Sequence, residues 1–422
     1  MRPSKDIFDA YEERSWRSVA RRQRALGMEF VAGRREGSYI WDAEGRRRLL
    51  DCTTGGGVHA LGHRNPEVVA ALQGALDRGL DGGMWMMPNE EHLGLQDALA
   101  ASAPHAALNR SVLTLAASNS NDLALLFAFR VTGRRKVLAY RHGYHGHAGF
   151  AALVTGSAGE NVIGYYNLPD ATGRFFEPYG DLAAVERLID RDVAAIIVEP
   201  MDYETFAPSP PGYLPGLAAL AHRHGALLIM DETRTGLMRS GRMWMCQHSG
   251  AEPDMLVCGK GLSGGLYPAS AVLTTAAIYD RCINQHELAY ASSMGGNEIS
   301  AAVGRKVIEI VRRPDLAANV AALEERFKMR FGELCRRRQD TFFPGTVQGA
   351  IATIGLATPA HREAIAPALF RRGILMHSVS AIAPDGAKFF PPLTSAPAAV
   401  DEIADALDDI ARAWRAGGPG AA

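Results

Sequence analysis

The chain has little cysteine, almost no net charge and very little lysine, and each shortage excludes a class of protein. Its five cysteines, at 52, 246, 258, 282 and 335, include no Cys-x-x-Cys pair, so neither a disulfide framework nor a zinc knuckle is supported and no metal site is expected. Basic and acidic residues number 45 and 46, leaving a formal charge of −1. No global field therefore draws the chain onto nucleic acid or an anionic membrane, and neither is expected as a partner. No apolar run approaches the length needed to span a bilayer. The first 27 residues lack the apolar core of a secretory signal, and Asp6, Asp9, Glu12 and Glu13 argue against a transit peptide. With the unpaired cysteines, this predicts a cytoplasmic protein. The absence of GxGxxG between a first strand and helix speaks against a dinucleotide-dependent dehydrogenase. Lysine is scarcest of all: six residues, at 5, 136, 260, 306, 328 and 388, against 39 arginines. Chemistry that needs an amine has few candidates.

The 422 residues are 47% apolar and 22% charged, the balance of a globular chain with two or three compact units. Residues 12–27 are expected to form a leading helix. SYIWDAEGRRRLLDCT alternates around a turn at Asp42 to Gly45 and predicts a hairpin. After a helix in PEVVAALQGALDRGL, short apolar runs alternate with helical stretches: VLTLAAS (112–118), KVLAY (136–140), VAAIIVEP (193–200), ALLIMDE (226–232), MLVCGK (255–260) and ASAVLTT (269–275). Such alternation predicts an α/β fold with a mostly parallel central sheet and helices on both faces. Two long helices follow Gly296. VQGAIATIGLAT, GILMHSV and a closing helix then predict a smaller α+β unit that the N-terminal hairpin joins. The expected division is 1–60 and 301–422 for the small unit and 61–300 for the large one, with a frayed tail, AGGPGAA.

Ligands of an open parallel sheet bind beyond the carboxyl ends of its strands. There the apolar runs give way to Asp231-Glu232, Lys260, Glu199-Pro200, Ser118-Asn119-Ser120-Asn121 and Arg141-His142-Gly143-Tyr144-His145-Gly146. A lysine at the end of a buried strand is poorly solvated, which favours its neutral, nucleophilic form. Alone, Lys260 reads equally as a solvated strand-end residue, and Asp231 as a helix cap. Together they are the two protein groups pyridoxal phosphate needs, an imine-forming amine and an acid for the pyridine nitrogen. The Ser118 run enters a helix, where free amides and hydroxyls suit a phosphate or simply cap the helix. Tyr144 offers a ring face, and His145 a hydrogen bond.

In their order these pieces resemble the class III (omega) aminotransferase family of fold-type-I pyridoxal phosphate enzymes, which includes glutamate-1-semialdehyde aminomutase. The resemblance covers most of the chain and is most specific in GYLPGLAALAHRHGALLIMDETRTGLMRSGR and PDMLVCGKGLSGGLYPASAV. It implies Lys260 as the Schiff-base lysine and proton shuttle, and Asp231 as partner of the pyridine nitrogen. Tyr144 and Thr233 would take opposite faces of the ring, and Ser118 with the Ala117 and Asn119 amides would hold the phosphate. Ser293 would reach the phosphate of a neighbouring subunit in a homodimer, and Glu199 would lie near the cofactor hydroxyl. The chain departs from the family at Asn119, Thr233, Ser293, the stretch MDYETFAPSP after Glu199-Pro200, and Lys388, where an arginine often precedes Pro-Pro-Leu. Trp85, in DGGMWMMPN, and Lys388 are the substrate-pocket candidates, although most of that Met-rich segment reads as core packing.

The resemblance implies transfer of an amino group from a small amine or amino acid, in a setting of specialised biosynthesis. The alternative uses the same imine for an amino shift, epimerisation, elimination, replacement or carbon–carbon bond formation. A non-catalytic cofactor-binding protein fits poorly with Lys260, Asp231, Tyr144 and Ser118 occurring together.

Overall fold

The computed structural model describes residues 2–83, 87–156, 172–286, 289–377 and 386–417. Contacts divide the chain into two units, Met1–Asn65 with Ala318–Ala422, and Pro66–Ala317.

The second unit is built on a seven-stranded sheet. In chain order its strands are β1 (Arg110–Thr114), β2 (Lys136–Tyr140), β3 (Gly173–Phe176), β4 (Val193–Val198), β5 (Leu227–Asp231), β6 (Met255–Cys258) and β7 (Ser270–Thr274). They lie in the order β1-β7-β6-β5-β4-β2-β3. From β6 to β3 every pairing is parallel, while β7 runs antiparallel to both its neighbours. The carboxyl ends of β1 to β6 therefore share one rim. Every residue of β4 is buried, as a strand covered on both faces requires, and this is why VAAIIV is apolar without alternation. Val137, Ala139, Ile197, Ile229 and Val257 pack from the sheet against Leu123, Ala124, Phe127 and Ala128 of the helix Ala117–Thr132. That helix ends at Gly133, whose φ of +71° provides the left-handed cap.

The first unit contains a four-stranded sheet in the order Ala32–Glu36, Tyr39–Asp42, Arg48–Cys52, Ile374–Met376. Asp42 Oδ1 accepts from the amides of Arg46 and Arg47, closing the expected hairpin. The hairpin does join the C-terminal segment, through the parallel pairing of Arg48–Cys52 with Ile374–Met376. A second sheet holds Phe342–Gln348, Ile351–Leu356 and Gly386–Phe389. The closing helix, Ala398–Gly417, buries Val400, Ile403, Leu407, Ile410 and Trp414 at three- and four-residue spacings.

Three local expectations change. The leading helix is two helices, Ser4–Arg14 and Arg17–Ala25, because the chain turns at Ser15, which has φ −129° and ψ −117°. The run 112–118 ends as strand at Thr114, and Ala117 already begins the next helix. Strand β3 was not anticipated: its four residues, GRFF, sit at the sheet edge and contain no apolar run. Of the expected frayed tail, Ala416 and Gly417 instead end the closing helix, and the remainder lies outside the described residues.

Candidate active site

The rim collects the side chains that the strand ends suggested. β5 ends at Asp231 and β6 ends two residues before Lys260, and the Glu232 amide donates to the Val257 carbonyl at 2.9 Å. The acid and the amine thus leave neighbouring strands on the same side. Lys260 has φ +42°, a left-handed conformation that costs a non-glycine residue on the order of 1 kcal/mol and is often found at functional sites. Its neighbour Gly259 must lack a side chain: a Cβ there would lie 2.9 Å from Ser270 Oγ and 3.1 Å from Ala117 Cβ.

Asp231 is buried and held on both oxygens. Oδ2 accepts from His145 Nδ1 at 2.9 Å and from Asn121 Nδ2 at 2.8 Å, and Oδ1 accepts from the Thr233 amide at 3.1 Å. Burial by itself would raise this carboxyl's pKa. Contacts with His145, Thr233 and Asn121 outweigh burial, and the group titrates below its ordinary range. Asn121 also donates to the His145 carbonyl at 2.8 Å, and the His145 amide donates to Thr155 Oγ1 at 2.9 Å. His145 Nε2 is buried with no hydrogen-bond partner among the described residues, as is Asn121 Oδ1.

Glu199, the first residue after β4, is buried and accepts from the Tyr144 amide at 3.2 Å. Its other oxygen lies 3.2 Å from Arg234 Nη2. Burial pushes this carboxyl up, and Arg234 opposes the rise only in part. Lys260 retains some accessible surface, yet the protein around its amine is dense. Burial and then the Arg234 charge lower its pKa, against Glu199 and Asp231. The Tyr144 ring stacks on Tyr203 at 5.7 Å and 17°.

The helix Ala117–Thr132 starts without a side-chain cap. The simple capping role for its serines is therefore not what forms, and the first amides are left for another acceptor. Ser118 is half-buried beside Gly146, while the Asn119 side chain is exposed. Ser120 points inward instead, to Thr114 Oγ1 and Ser270 Oγ, each at 2.7 Å. An ionised acid, a recessed amine, an uncapped helix start and a ring face form the set that a pyridine nitrogen, an aldehyde and a phosphate require. The residues fit pyridoxal 5′-phosphate.

The structure thus brings together Ser118, Tyr144, His145, Glu199, Asp231, Thr233 and Lys260. Ser293 lies in the same unit and is exposed. Lys388 is buried in the strand Gly386–Phe389 of the other unit. Trp85 lies outside the described residues. The same tripeptide MWM recurs at 243–245, where Trp244 and Met245 are core, with Trp244 Nε1 donating to the Ser102 carbonyl at 2.6 Å. Sequence reasoning assigned no role to Asn121, Arg234 or Tyr203. For Asn121 the available signal was its place one turn past Ser118, on the inward side of a helix start.

A family model described as aminotransferase class-III matches residues 20–411. An uncharacterized aminotransferase of Archaeoglobus fulgidus is 36% identical over 78% of this chain and 76% of its own length. An acetylornithine aminotransferase of Pseudomonas putida is 31% identical over 90% and 92% of the two chains. A succinylornithine transaminase of Yersinia pseudotuberculosis is 30% identical over 89% and 90%. Among solved structures, an ornithine aminotransferase of Toxoplasma gondii superposes with a TM-score of 0.87 at 22% identity, covering 99% of this chain and 96% of that one. Among the described residues no helix is long and apolar enough to cross a membrane.

Proposed function

Because the chain belongs to the aminotransferase class-III family, and is thereby an enzyme dependent on pyridoxal 5′-phosphate, we propose that it moves the amino group of a small amine or amino acid to a second carbonyl compound, using Lys260. The names of the acetylornithine and succinylornithine relatives support an amino acid carrying an aliphatic amine. The observation that carries the reading is the placement of Asp231 and Lys260 at adjacent strand ends, each with its pKa held below its ordinary value.

When bound, the cofactor supplies an aldehyde that condenses with primary amines and a ring that withdraws electrons. Asp231, fixed by His145 and Asn121, keeps a negative charge for the ring nitrogen. Lys260, whose pKa burial lowers, presents the amine that would take a proton from the substrate carbon and return it. Tyr144 and Thr233 would flank the ring. Ser118 and the Ala117 and Asn119 amides would hold the phosphate, and Glu199 would lie near the hydroxyl. Exposed Ser293 supports a homodimer in which it serves the partner's phosphate. Buried free cysteines suit the reducing cytoplasm. The departures at Asn119, Thr233, 201–208 and Lys388 favour a substrate of specialised biosynthesis.

The test is a visible spectrum of the purified chain with pyridoxal phosphate, followed by amines and amino acids added singly without an acceptor. Transamination yields one keto product per chain, and Lys260→Ala abolishes both the band and the product. A substrate that alters the band and is isomerised, cleaved or extended without losing its amino group to the cofactor overturns amino transfer in favour of the alternative chemistry.

A further inference from the structure

Residues 201–208, where the family's glycine-rich stretch is missing, fold into a small closed loop. Met201 bridges Pro208, the Asp202 amide donates to the Ala207 carbonyl at 2.9 Å, and the Phe206 amide donates back to the Asp202 carbonyl at 3.1 Å. Asp202 is buried at the centre, where its Oδ1 accepts from the amides of Glu204 and Thr205 at 2.8 and 2.7 Å. The loop is tied to the end of β2 and the segment after it at alternate residues. Tyr140 Oη donates to Asp202 Oδ2 at 2.9 Å, and His142 Nδ1 lies 3.1 Å from Glu204 Oε1. The third tie is ring on ring: Tyr203 stacks on Tyr144 with centroids 5.7 Å apart and planes 17° apart. Exposed His147 meets Tyr144 differently, at 5.0 Å and 71°. Tyr203 and Phe206 also clamp the Arg234 guanidinium, whose Cζ lies 4.6 and 4.4 Å from their ring centroids, within cation–π range. Arg234 Nη1 donates to the Tyr203 carbonyl at 3.1 Å, and Nη2 lies 3.2 Å from Glu199 Oε1.

We propose that Tyr203 is a positioning residue for Tyr144: it backs one face of the Tyr144 ring and so holds the other face ready for the cofactor ring. This rests on the reading of Tyr144 as a ring face for the cofactor. The contacts close a circuit that begins and ends on Tyr144. Its amide donates to Glu199, Glu199 pairs with Arg234, Arg234 holds both the carbonyl and the ring of Tyr203, and the Tyr203 ring returns to the Tyr144 ring. One set of contacts thus fixes the backbone and the ring of the same residue. Tyr144 and Tyr203 are each only half-buried, so neither ring is immobilised by a surrounding core. A lone half-buried ring turns about its side-chain torsions, and a ligand that stacks on it must first arrest that motion. A ring already held by a neighbour binds without that cost. A side chain kept at 203 only to fill space would need no plane in common with Tyr144. A glycine-rich stretch carries no side chain able to do this, so the backing belongs to this chain's own loop.

Two readouts test it on the full-length chain. One is the affinity for pyridoxal phosphate, from titration of the visible band in a double-mutant cycle of Tyr203→Ala and Tyr144→Ala. The other is hydroxyl-radical oxidation of Tyr144 in the cofactor-free chain, read by mass spectrometry with the other tyrosines as references. Tyr203→Ala weakens binding about five- to tenfold, the range of one stacked ring pair. Tyr203→Phe, which keeps the ring and loses the hydroxyl, recovers most of that loss. In the Tyr144→Ala background Tyr203→Ala has little further effect, because the two residues act as one. Tyr144 oxidation rises in Tyr203→Ala and returns in Tyr203→Phe. If Tyr203→Ala does not fold, Tyr203→Leu fills the space without a ring face and is read in the same way. Unchanged affinity, or the same loss with and without the Tyr144 ring, overturns the proposal and leaves Tyr203 a structural residue. Tighter binding in Tyr203→Ala also overturns it, since Tyr203 would then occupy the place of the cofactor ring. A wild-type chain that shows no visible band with added cofactor overturns the functional reading instead. The oxidation series then decides alone whether Tyr203 holds the Tyr144 ring, and unchanged oxidation in Tyr203→Ala overturns that.

Discussion

Asn121 is where a single side chain does two things, and removing it separates them. Its amide donates to Asp231 Oδ2 and to the His145 carbonyl, so Asn121→Leu leaves a buried carboxylate and a buried carbonyl each short of a donor. The expected loss of stability is about 1–3 kcal/mol. The pH dependence has a definite sign. Asp231 titrates below its reference value of 3.8 in the folded chain, so its contribution is fully present above that value and is lost as pH falls through the folded pKa. In Asn121→Leu the folded value moves back up toward 3.8. Denaturant midpoints should therefore separate the variant from wild type across neutral pH, and the part of the gap carried by Asp231 should narrow as pH falls below 3.8 and be lost below the folded pKa. A gap that does not narrow at any acid pH at which the chain still folds would mean that Asn121 supports packing but not the charge of Asp231.

At the scale of elements, the helix Ala117–Thr132 has a glycine against its start and another at its end, and they answer to different forces. Gly146 has φ +129°, and a Cβ there would collide with Ser118 Oγ, Cβ and Cα. Gly133 has φ +71° with open space around it. Gly133→Ala should cost about 1–2 kcal/mol of stability through backbone strain alone and leave cofactor binding intact. Gly146→Ala pushes the 141–148 loop off the helix start. It should weaken pyridoxal phosphate binding at least about tenfold, or 1.4 kcal/mol, measured by titrating the visible band. The same elements show what the sequence could and could not reveal. Strands β4, β5 and β6 were legible because both faces are buried, so each apolar run stops where the first polar side chain reaches the rim, at Glu199, Asp231 and next to Lys260. The clamp on Arg234 was not legible. DYETF reads as a polar loop until Asp202 gathers its amides and turns Tyr203 and Phe206 onto a guanidinium some 30 positions along the chain. Nor was the break between the first two helices, because no glycine or proline marks Ser15 and Trp16.

For the whole molecule, the five cysteines report on both units at once. All are free and buried. Burial pushes Cys258 up to about 12 and Cys282 up to about 11, and raises Cys52, Cys246 and Cys335 as well. Since the thiolate is the nucleophile, none should react with a thiol reagent near neutral pH until its surroundings open. Cys52 and Cys335 belong to the unit formed by the two ends of the chain, and Cys246, Cys258 and Cys282 to the unit Pro66–Ala317. The proposed cofactor contacts, Ser293 aside, all lie around the rim of the sheet in the second unit. Ligand at about 100 times its Kd stabilises the state it binds by about 2.7 kcal/mol. Thiol labelling across a urea series should therefore show Cys246, Cys258 and Cys282 protected roughly a hundredfold by pyridoxal phosphate. Cys52 and Cys335 should gain less. Equal protection of all five would show that the two units unfold as one cooperative body, and protection confined to Cys52 and Cys335 would contradict the placement of the cofactor at the sheet rim.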